Sequence, residues 1–287
     1  MTSGKKLRQL IQEKSVVAPF VYDGMMAKMA ALAGLEALYC TGGGNCHSRG
    51  MPDMGLITMP EMTDKIRILN ESCDLPVIAD ADTGYGTFVN VIRTVRCYEK
   101  AGAAALHMED QKWPKSCGFL GRKEIIGRSE AVAKIKAAVD TRNEMMIIGR
   151  TDAFSVMGWE EVESRVHAFM EAGADMAFVD GIVTWEEMLE YRGRFEGIPL
   201  MFNNSMSFPM KELNKAARFE LVIHPGVLHH LQQEITRGME MLAKDGLSIF
   251  TDGPNFLKEL HRSADVMGFS EYNALVDKYQ AMVNDTI

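Results

Sequence analysis

The chain has 287 residues, 47% of them hydrophobic and 24% charged, with five cysteines and a net charge of −8 from 31 cationic and 39 anionic side chains. A chain of this size and composition buries a full core without disulfide or zinc staples, which excludes disorder over most of its length. The acidic balance argues against a nucleic-acid or anionic-membrane partner, since both want a basic face, but leaves room for an anionic small molecule.

The opening stretch, MTSGKKLRQLIQEK, reads as the start of a polar amphipathic helix and lacks the apolar core of a signal peptide. No run of about 18 apolar residues offers a membrane span. Eight short strands then follow in order: Val16–Asp23, Ala37–Gly42, Pro76–Asp82, Ala104–Asp110, Met145–Asp152, Met176–Asp180, Ile198–Asn203 and Leu221–Pro225. Most are continuously apolar, as strands buried on both faces are. Between them lie stretches such as Asn90–Ala101, Arg128–Arg142 and Trp159–Ala172, with apolar residues three and four apart. A phrase repeats where helix gives way to strand, LAGLEALYC, KAGAAALHM and EAGADMAFV, in which Gly after Ala supplies the left-handed residue that ends the helix. This alternation predicts an α/β fold, a (β/α)8 TIM-type barrel. A doubly wound open sheet is the alternative, but it wants G-x-G-x-x-G after its first strand, and the chain has YDGMMAKMA there.

Two further helical segments, Val227–Lys244 and Asn255–Val283, exceed what one barrel helix needs and form a C-terminal extension suited to subunit contact. No linker or charge run divides the chain. The expectation is one domain over 1–287, with the barrel over about 15–245 and the C-terminal helices over about 246–287.

In a parallel barrel the chemistry gathers where the strands end. Asp80 and Asp82 alternate on the third strand and so share a face, and Glu109 ends the fourth. Three carboxylates converging on one mouth repel unless a cation sits among them, and hard oxygen ligands suit Mg²⁺, with Mn²⁺ as the substitute. The plain alternative is that they cap the helices that follow. Thr41–Gly44 offers successive backbone N–H groups to a carboxylate or phosphate, unless it is simply a loop. Arg150, ending the fifth strand, is either a fork for a substrate carboxylate or part of a structural ion pair. The stretch Gln111–Gly127 is long for a strand-to-helix connection and reads as a lid. Within it Cys117 follows Lys115 and precedes Gly118, and neighbouring cations favour a thiolate. Cys40, Cys73 and Cys97 read as packing residues, and Cys46, in GGNCHSRG, as a second candidate on a loop. With no CxxC pair, the five thiols point to a reducing, cytoplasmic setting. A Schiff-base aldolase is disfavoured, because no strand ends in Lys.

TGGG at 41, PDMG at 52, DADTGYG at 80, MEDQ at 108, PKSCG at 114 and GRTDA at 149, in that order and spacing, resemble the isocitrate lyase/phosphoenolpyruvate mutase superfamily over about residues 15–230. Within it, the chain is similar to the 2-methylisocitrate lyase/2,3-dimethylmalate lyase branch. The resemblance implies a Mg²⁺-dependent barrel that acts on small carboxylates through an enolate-like state. Its eighth helix would be swapped between paired subunits in a homo-oligomer, a dimer of swapped dimers. It also implies that Asp82 approaches the metal most directly, with Asp53, Asp80 and Glu109 holding it or its waters. Thr41, Gly42, Gly43, Gly118, Asp180 and Asn203 would bind substrate, and Cys117, Tyr39, Arg150 and Lys115 would carry the chemistry. The lid separates subfamilies: carbon–carbon lyases carry KKCGH or KRCGH, phosphonate mutases an Asn, and oxaloacetate decarboxylases lack the Cys. KSCGF here implies a lyase that cleaves a 2-hydroxy di- or tricarboxylate to an α-keto acid and a carboxylic acid. A phosphonopyruvate mutase or hydrolase, an oxaloacetate decarboxylase or hydrolase, and a non-catalytic keto-acid-binding barrel are the alternatives. Phe119 stands where the resemblance has His, Asp180 where it has Glu, and His224 where it has Tyr. The Asp retracts a carboxylate by about 1.5 Å. Together these point to a smaller or less charged substrate, such as an alkyl-substituted malate.

Overall fold

The computed structural model describes residues 2–116, 123–246 and 253–284. Its first half runs α1 (Ser3–Glu13), β1 (Val16–Val21), α2 (Gly24–Leu32), β2 (Leu38–Cys40), α3 (Gly42–His47), α4 (Met59–Ser72), β3 (Val77–Asp80), α5 (Phe88–Lys100) and β4 (Ala103–Glu109). The second runs α6 (Arg128–Thr141), β5 (Met146–Thr151), α7 (Phe154–Met157), α8 (Trp159–Glu171), β6 (Met176–Val179), α9 (Trp185–Arg194), β7 (Leu200–Asn203), α10 (Met210–Ala216) and β8 (Leu221–His224). Helices α11 (Gly226–Asp245), α12 (Gly253–Val266) and α13 (Phe269–Asn284) follow.

All eight strands pair in parallel and in sequence order, and β8 returns to β1 to close a barrel. Closure excludes the open doubly wound sheet. Most strands are shorter than their apolar runs, because polar residues at the C-terminal ends leave the ladder for other contacts. Asp82, two residues past the end of β3, is in the left-handed region, with φ 44°. The three Ala-Gly junctions behave as their sequence requires: Gly34, Gly102 and Gly173 have φ of 81°, 99° and 96° just past α2, α5 and α8.

The strands alternate between two layers. Met176 and Phe178 of β6, Met201 of β7, and Leu221 and Ile223 of β8 fill the barrel interior with Ile78, Met146 and Ile148. Ala177, Val179, Leu200, Phe202 and Val222 face the helices with Val162, Tyr191 and Leu213. Leu7 and Ile11 of α1 join the interior cluster. A Cβ on Gly4 would meet the carbonyls of Glu144 and Ala104, so α1 lies where the strands begin and the opposite mouth is left for chemistry.

The chain forms two compact units, Met1–Leu228 and His229–Ile287. The helix expected over Asn255–Val283 is two helices, which pack on each other. Gly268, at φ 90°, makes the break, a turn that the apolar spacing on either side conceals. No described helix is long and apolar enough to cross a membrane.

Candidate active site at the barrel mouth

Asp80 ends β3 and Asp82 lies two residues beyond the strand, outside its alternation, yet both carboxylates stand at one corner of the mouth beside Gly42. Asp80 Oδ1 accepts from the Asp82 amide at 2.9 Å, and Asp80 Oδ2 accepts from the Gly42 amide at 3.1 Å. A Cβ on Gly42 would lie 2.6 Å from Asp80 Oδ2, and one on Gly43 would lie 3.3 Å from Asp53 Oδ2. The glycines therefore let the start of α3 approach the acids. Thr41 caps that helix, its Oγ1 accepting from the Gly44 amide at 3.1 Å. The Gly42 N–H is thus already engaged. Lys115, 5% exposed, puts its ammonium against Asp53 and 3.0 Å from Asp82 Oδ1. A cationic nitrogen stands between these two carboxylates. Among the described residues no group of three or more His, Cys, Asp and Glu side chains has the spacing of a metal cage.

Burial raises the Asp82 pKa, and Asp80 and Asp53 add to it against the pull of Lys115, leaving it at about 7. Burial likewise lifts Glu109 well above the carboxylate range despite Arg150. Asp80 goes the other way. Burial would raise it, but His107, Lys115, Arg150 and the Asp82 amide outweigh that and bring it to about 2. His107 is itself lowered by burial to about 4 and is neutral at pH 7, so the lysine, the guanidinium and the amide hold the Asp80 charge there.

Tyr39 reaches this corner from β2. Its hydroxyl is 2.7 Å from His107 Nε2 and 3.3 Å from Asp80 Oδ2. A donation chain from His107 Nε2–H to Tyr39, and from Tyr39 to Asp80, satisfies all three atoms and assigns the tautomer. Burial, reinforced by Asp80, raises the Tyr39 pKa well above its ordinary value, so it stays a neutral phenol.

Across the mouth, Arg150 follows Met146 and Ile148 in the inward phase of β5. Its Nε is 2.7 Å from Asp152 Oδ1, and its Nη2 is 3.1 Å from Asp180 Oδ2 and 3.2 Å from Glu109 Oε2. The guanidinium also lies over the Phe178 ring, 5.2 Å from its centre. Lys123, 3% exposed, is 2.9 Å from Asp152 Oδ2. Gln111 Nε2 donates to the same oxygen at 2.9 Å.

Among the described residues the mouth therefore holds six carboxylates, Asp53, Asp80, Asp82, Glu109, Asp152 and Asp180, against three cations, Lys115, Lys123 and Arg150. Asp82 Oδ2 and Glu109 Oε1 are buried without a hydrogen-bond partner. Buried carboxylate oxygens left unpaired in an acid excess are a place for a cation. Asp110 is different: Thr151, the Asp152 amide and Arg165 take up its oxygens, a structural tie on the helix side.

Asn203 follows Met201 in the inward phase of β7, and its Oδ1 is buried without a partner. His224 follows Ile223 in the outward phase, and its Nδ1 accepts from the Gly226 amide at 3.1 Å at the start of α11. Cys46 lies in α3 and not on a loop. It is buried, and burial raises its thiol to about 11, the opposite of an activated cysteine. Cys117, Gly118 and Phe119 fall outside the described residues. A cavity of about 760 Å³ between Thr58, Tyr85, Arg93, Trp113 and Lys134 is lined by none of the expected site residues.

Residues 7–242 match the model of the phosphoenolpyruvate phosphomutase family. The chain belongs to that family. It is 46% identical to the 2,3-dimethylmalate lyase of Eubacterium barkeri over 70% of this chain and 71% of that one. It is 32% identical to the 2-methylisocitrate lyase of Shewanella oneidensis over 96% of each. Among solved structures, a 2,3-dimethylmalate lyase superposes with a TM-score of 0.87 at 33% identity, covering 97% of this chain and 96% of that one. An oxaloacetate acetylhydrolase bound to 3,3-difluorooxalacetate gives 0.90 at 30% identity, covering 97% of each. The barrel is thus a member of the isocitrate lyase/phosphoenolpyruvate mutase superfamily and a carbon–carbon lyase.

For a member of this family, two mouth residues have no role in the sequence reading. Asp152 sits two positions after Arg150 on the same face, a spacing that by itself pairs them. Lys123 has no such local signal, since its partners come from β5 and the end of β6.

Proposed function

We propose that the enzyme is a Mg²⁺-dependent lyase that cleaves an alkyl-substituted malate or a related 2-hydroxy diacid to pyruvate or glyoxylate and a carboxylic acid. The observation that carries this is the acid excess at the mouth, with the unpartnered Asp82 Oδ2 and Glu109 Oε1 beside it. Asp82, Asp80, Asp53 and Glu109 would hold the cation. A bound Mg²⁺ supplies Lewis-acid charge that eases loss of the substrate hydroxyl proton and stabilises developing oxyanions. A phosphonopyruvate hydrolase structure with oxalate and Mg²⁺ supports this choice, with a TM-score of 0.86 at 25% identity over 98% of this chain.

The chain's own groups then divide the work. The Nη1 edge of Arg150, which hydrogen-bonds no described residue, would take a substrate carboxylate or oxyanion, with Thr41, Gly43 and Asn203 as further substrate contacts and Asp180 acting through the guanidinium it holds. Tyr39, kept neutral, hydrogen-bonds the reacting hydroxyl. As that proton passes to solvent, which afterwards reprotonates the Cys117 thiolate, the carbonyl of the keto acid forms, the C2–C3 bond breaks, and its electrons pass to the departing carbon as a carboxylic acid enolate. Cys117, beside Lys115 and Gly118 in the sequence, gives the enolate carbon its proton. Oxaloacetate hydrolysis is the second reading, favoured by the likeness to oxaloacetate acetylhydrolase.

A coupled assay for pyruvate and glyoxylate release over a panel of 2-hydroxy diacids, with and without Mg²⁺, tests the proposal. Phosphonopyruvate and oxaloacetate belong on the same panel. Cys117→Ser is expected to cost about 10²–10⁴-fold in turnover, the usual worth of a positioned acid. Near-normal cleavage by that variant sinks the acid assignment.

The assembly proposed is a homo-oligomer of paired, helix-exchanging subunits. Phe256, Leu260, Phe269, Tyr272, Val276 and Tyr279 on α12 and α13 are each more than half exposed, an apolar area that a second copy would cover. Sedimentation is expected to give a tetramer, and Phe269→Glu with Tyr272→Glu a smaller species. A wild-type monomer at micromolar concentration rejects the assembly. The free thiols Cys40, Cys46, Cys73 and Cys97 suit a reducing cytoplasm.

A further inference from the structure

We propose that Lys123 is a positioning residue for the reaction, acting through Arg150. Its side chain is buried, with Nζ 2.9 Å from Asp152 Oδ2 and 3.5 Å from Asp180 Oδ2. Those are the carboxylates that grip Arg150, Asp152 through Oδ1 at Nε and Oδ2 at Nη2, and Asp180 through Oδ2 at Nη2. Glu109 makes a third claim on Nη2, at 3.2 Å.

One guanidinium against the Asp152 and Asp180 carboxylates and the buried Glu109 carboxyl would be drawn toward all three and have its donors taken up. A second cation changes that balance. Lys123 takes part of the charge of Asp152 and Asp180, and Gln111 takes another share of Asp152 Oδ2. Arg150 is then held by Nε and Nη2, while Nη1 makes no hydrogen bond with a described residue. Burying an ammonium is expensive, and an apolar side chain would serve packing better. The charge earns its place by keeping one edge of the fork free. Outer contacts of this kind tune the inner group they hold without touching substrate.

The inference rests on Arg150 being the oxyanion clamp, and the test separates the two. Lys123→Met and Lys123→Arg are compared with wild type for melting temperature, kcat, KM and Mg²⁺ affinity by calorimetry, on whichever diacid wild type cleaves fastest. Lys123→Met is expected to lower kcat by about 10–100-fold with little change in KM or Mg²⁺ affinity, because the loss falls on charge developing in the transition state. Lys123→Arg is expected to recover most of it. Lys123→Met turning over like wild type overturns the proposal, as does a folded Lys123→Arg no better than Lys123→Met. If Lys123→Met and Lys123→Gln both fail to fold while Lys123→Arg is fully active, the residue is structural and the proposal also falls. If wild type cleaves no diacid, the substrate reading alone fails, and oxaloacetate hydrolysis becomes the assay for the same variants.

Discussion

Asp82→Asn is expected to lower kcat/KM by about 10³-fold or more, several kcal/mol of lost metal-supplied stabilisation, while making the metal-free protein more stable. The two effects have one origin. Burial and the charges of Asp80 and Asp53 raise Asp82 to about 7 in the fold, against about 3.9 in the unfolded chain. A carboxyl whose folded pKa is raised costs nothing below the unfolded value. Its cost grows as pH climbs from about 4 and is complete above about 7, reaching at most about 4 kcal/mol. In EDTA, Asp82→Asn should therefore melt above wild type at pH 8 and level with it near pH 3.5, since Lys115 keeps Asp53 as a partner. With Mg²⁺ at pH 8 the order is expected to reverse, because the ion stabilises the wild-type fold that binds it and not the Asn variant, and at lower pH the cation must displace the Asp82 proton. Wild-type Mg²⁺ affinity should fall below pH 7, by about tenfold per pH unit for each proton displaced. Calorimetry and thermal melts over pH 3.5–8 check both. Wild-type Mg²⁺ affinity in Asp82→Asn, or a lower melting point in EDTA at pH 8, would refute the assignment.

What could be read from the sequence followed from local rules. Strands buried on both faces are apolar throughout, and Gly34, Gly102 and Gly173 mark helix ends because only glycine adopts that φ cheaply, so the barrel was visible. The two acids are legible as near neighbours in the chain, but β3 ends at Asp80 and Asp82 has φ 44°, so strand alternation does not set where the second carboxylate points. Contacts between distant elements carry no such signal. Nothing near Arg150 in the chain announces Asp180 or Lys123, whose ion pairs cross from the end of β6 and from beyond the β4 loop. The three glycines before Cys46 look like loop but form the first turn of α3, since Thr41 caps it. That turn spends the Gly42 N–H on Asp80, so the glycine run serves the carboxylates as well as any ligand.

Replacing Arg150 separates charge from geometry at the other side of the mouth. Arg150→Met leaves Asp152 and Asp180 with Lys123, Asp152 also with Gln111, and takes away the ion-pair partner of Glu109; breaking a buried ion pair from one side costs about 3–5 kcal/mol. Activity should fall by about 10²–10³-fold as well, the worth of a donor aimed at a growing oxyanion. Loss of fold would confound the two, so Arg150→Lys is the informative variant. Lysine restores the charge but has no fork, and it cannot hold Asp152 by one nitrogen while offering another to substrate. It should keep most of the stability and little of the rate. Adding Asp180→Asn to Arg150→Met removes a buried charge left with Lys123 alone, 3.5 Å away, so the double variant should regain stability without regaining turnover. Arg150→Lys with wild-type kcat would mean the guanidinium is only a counter-ion. In that case the ion-pair reading of this residue holds, and the oxyanion clamp must be sought among the backbone amides of Thr41–Gly44.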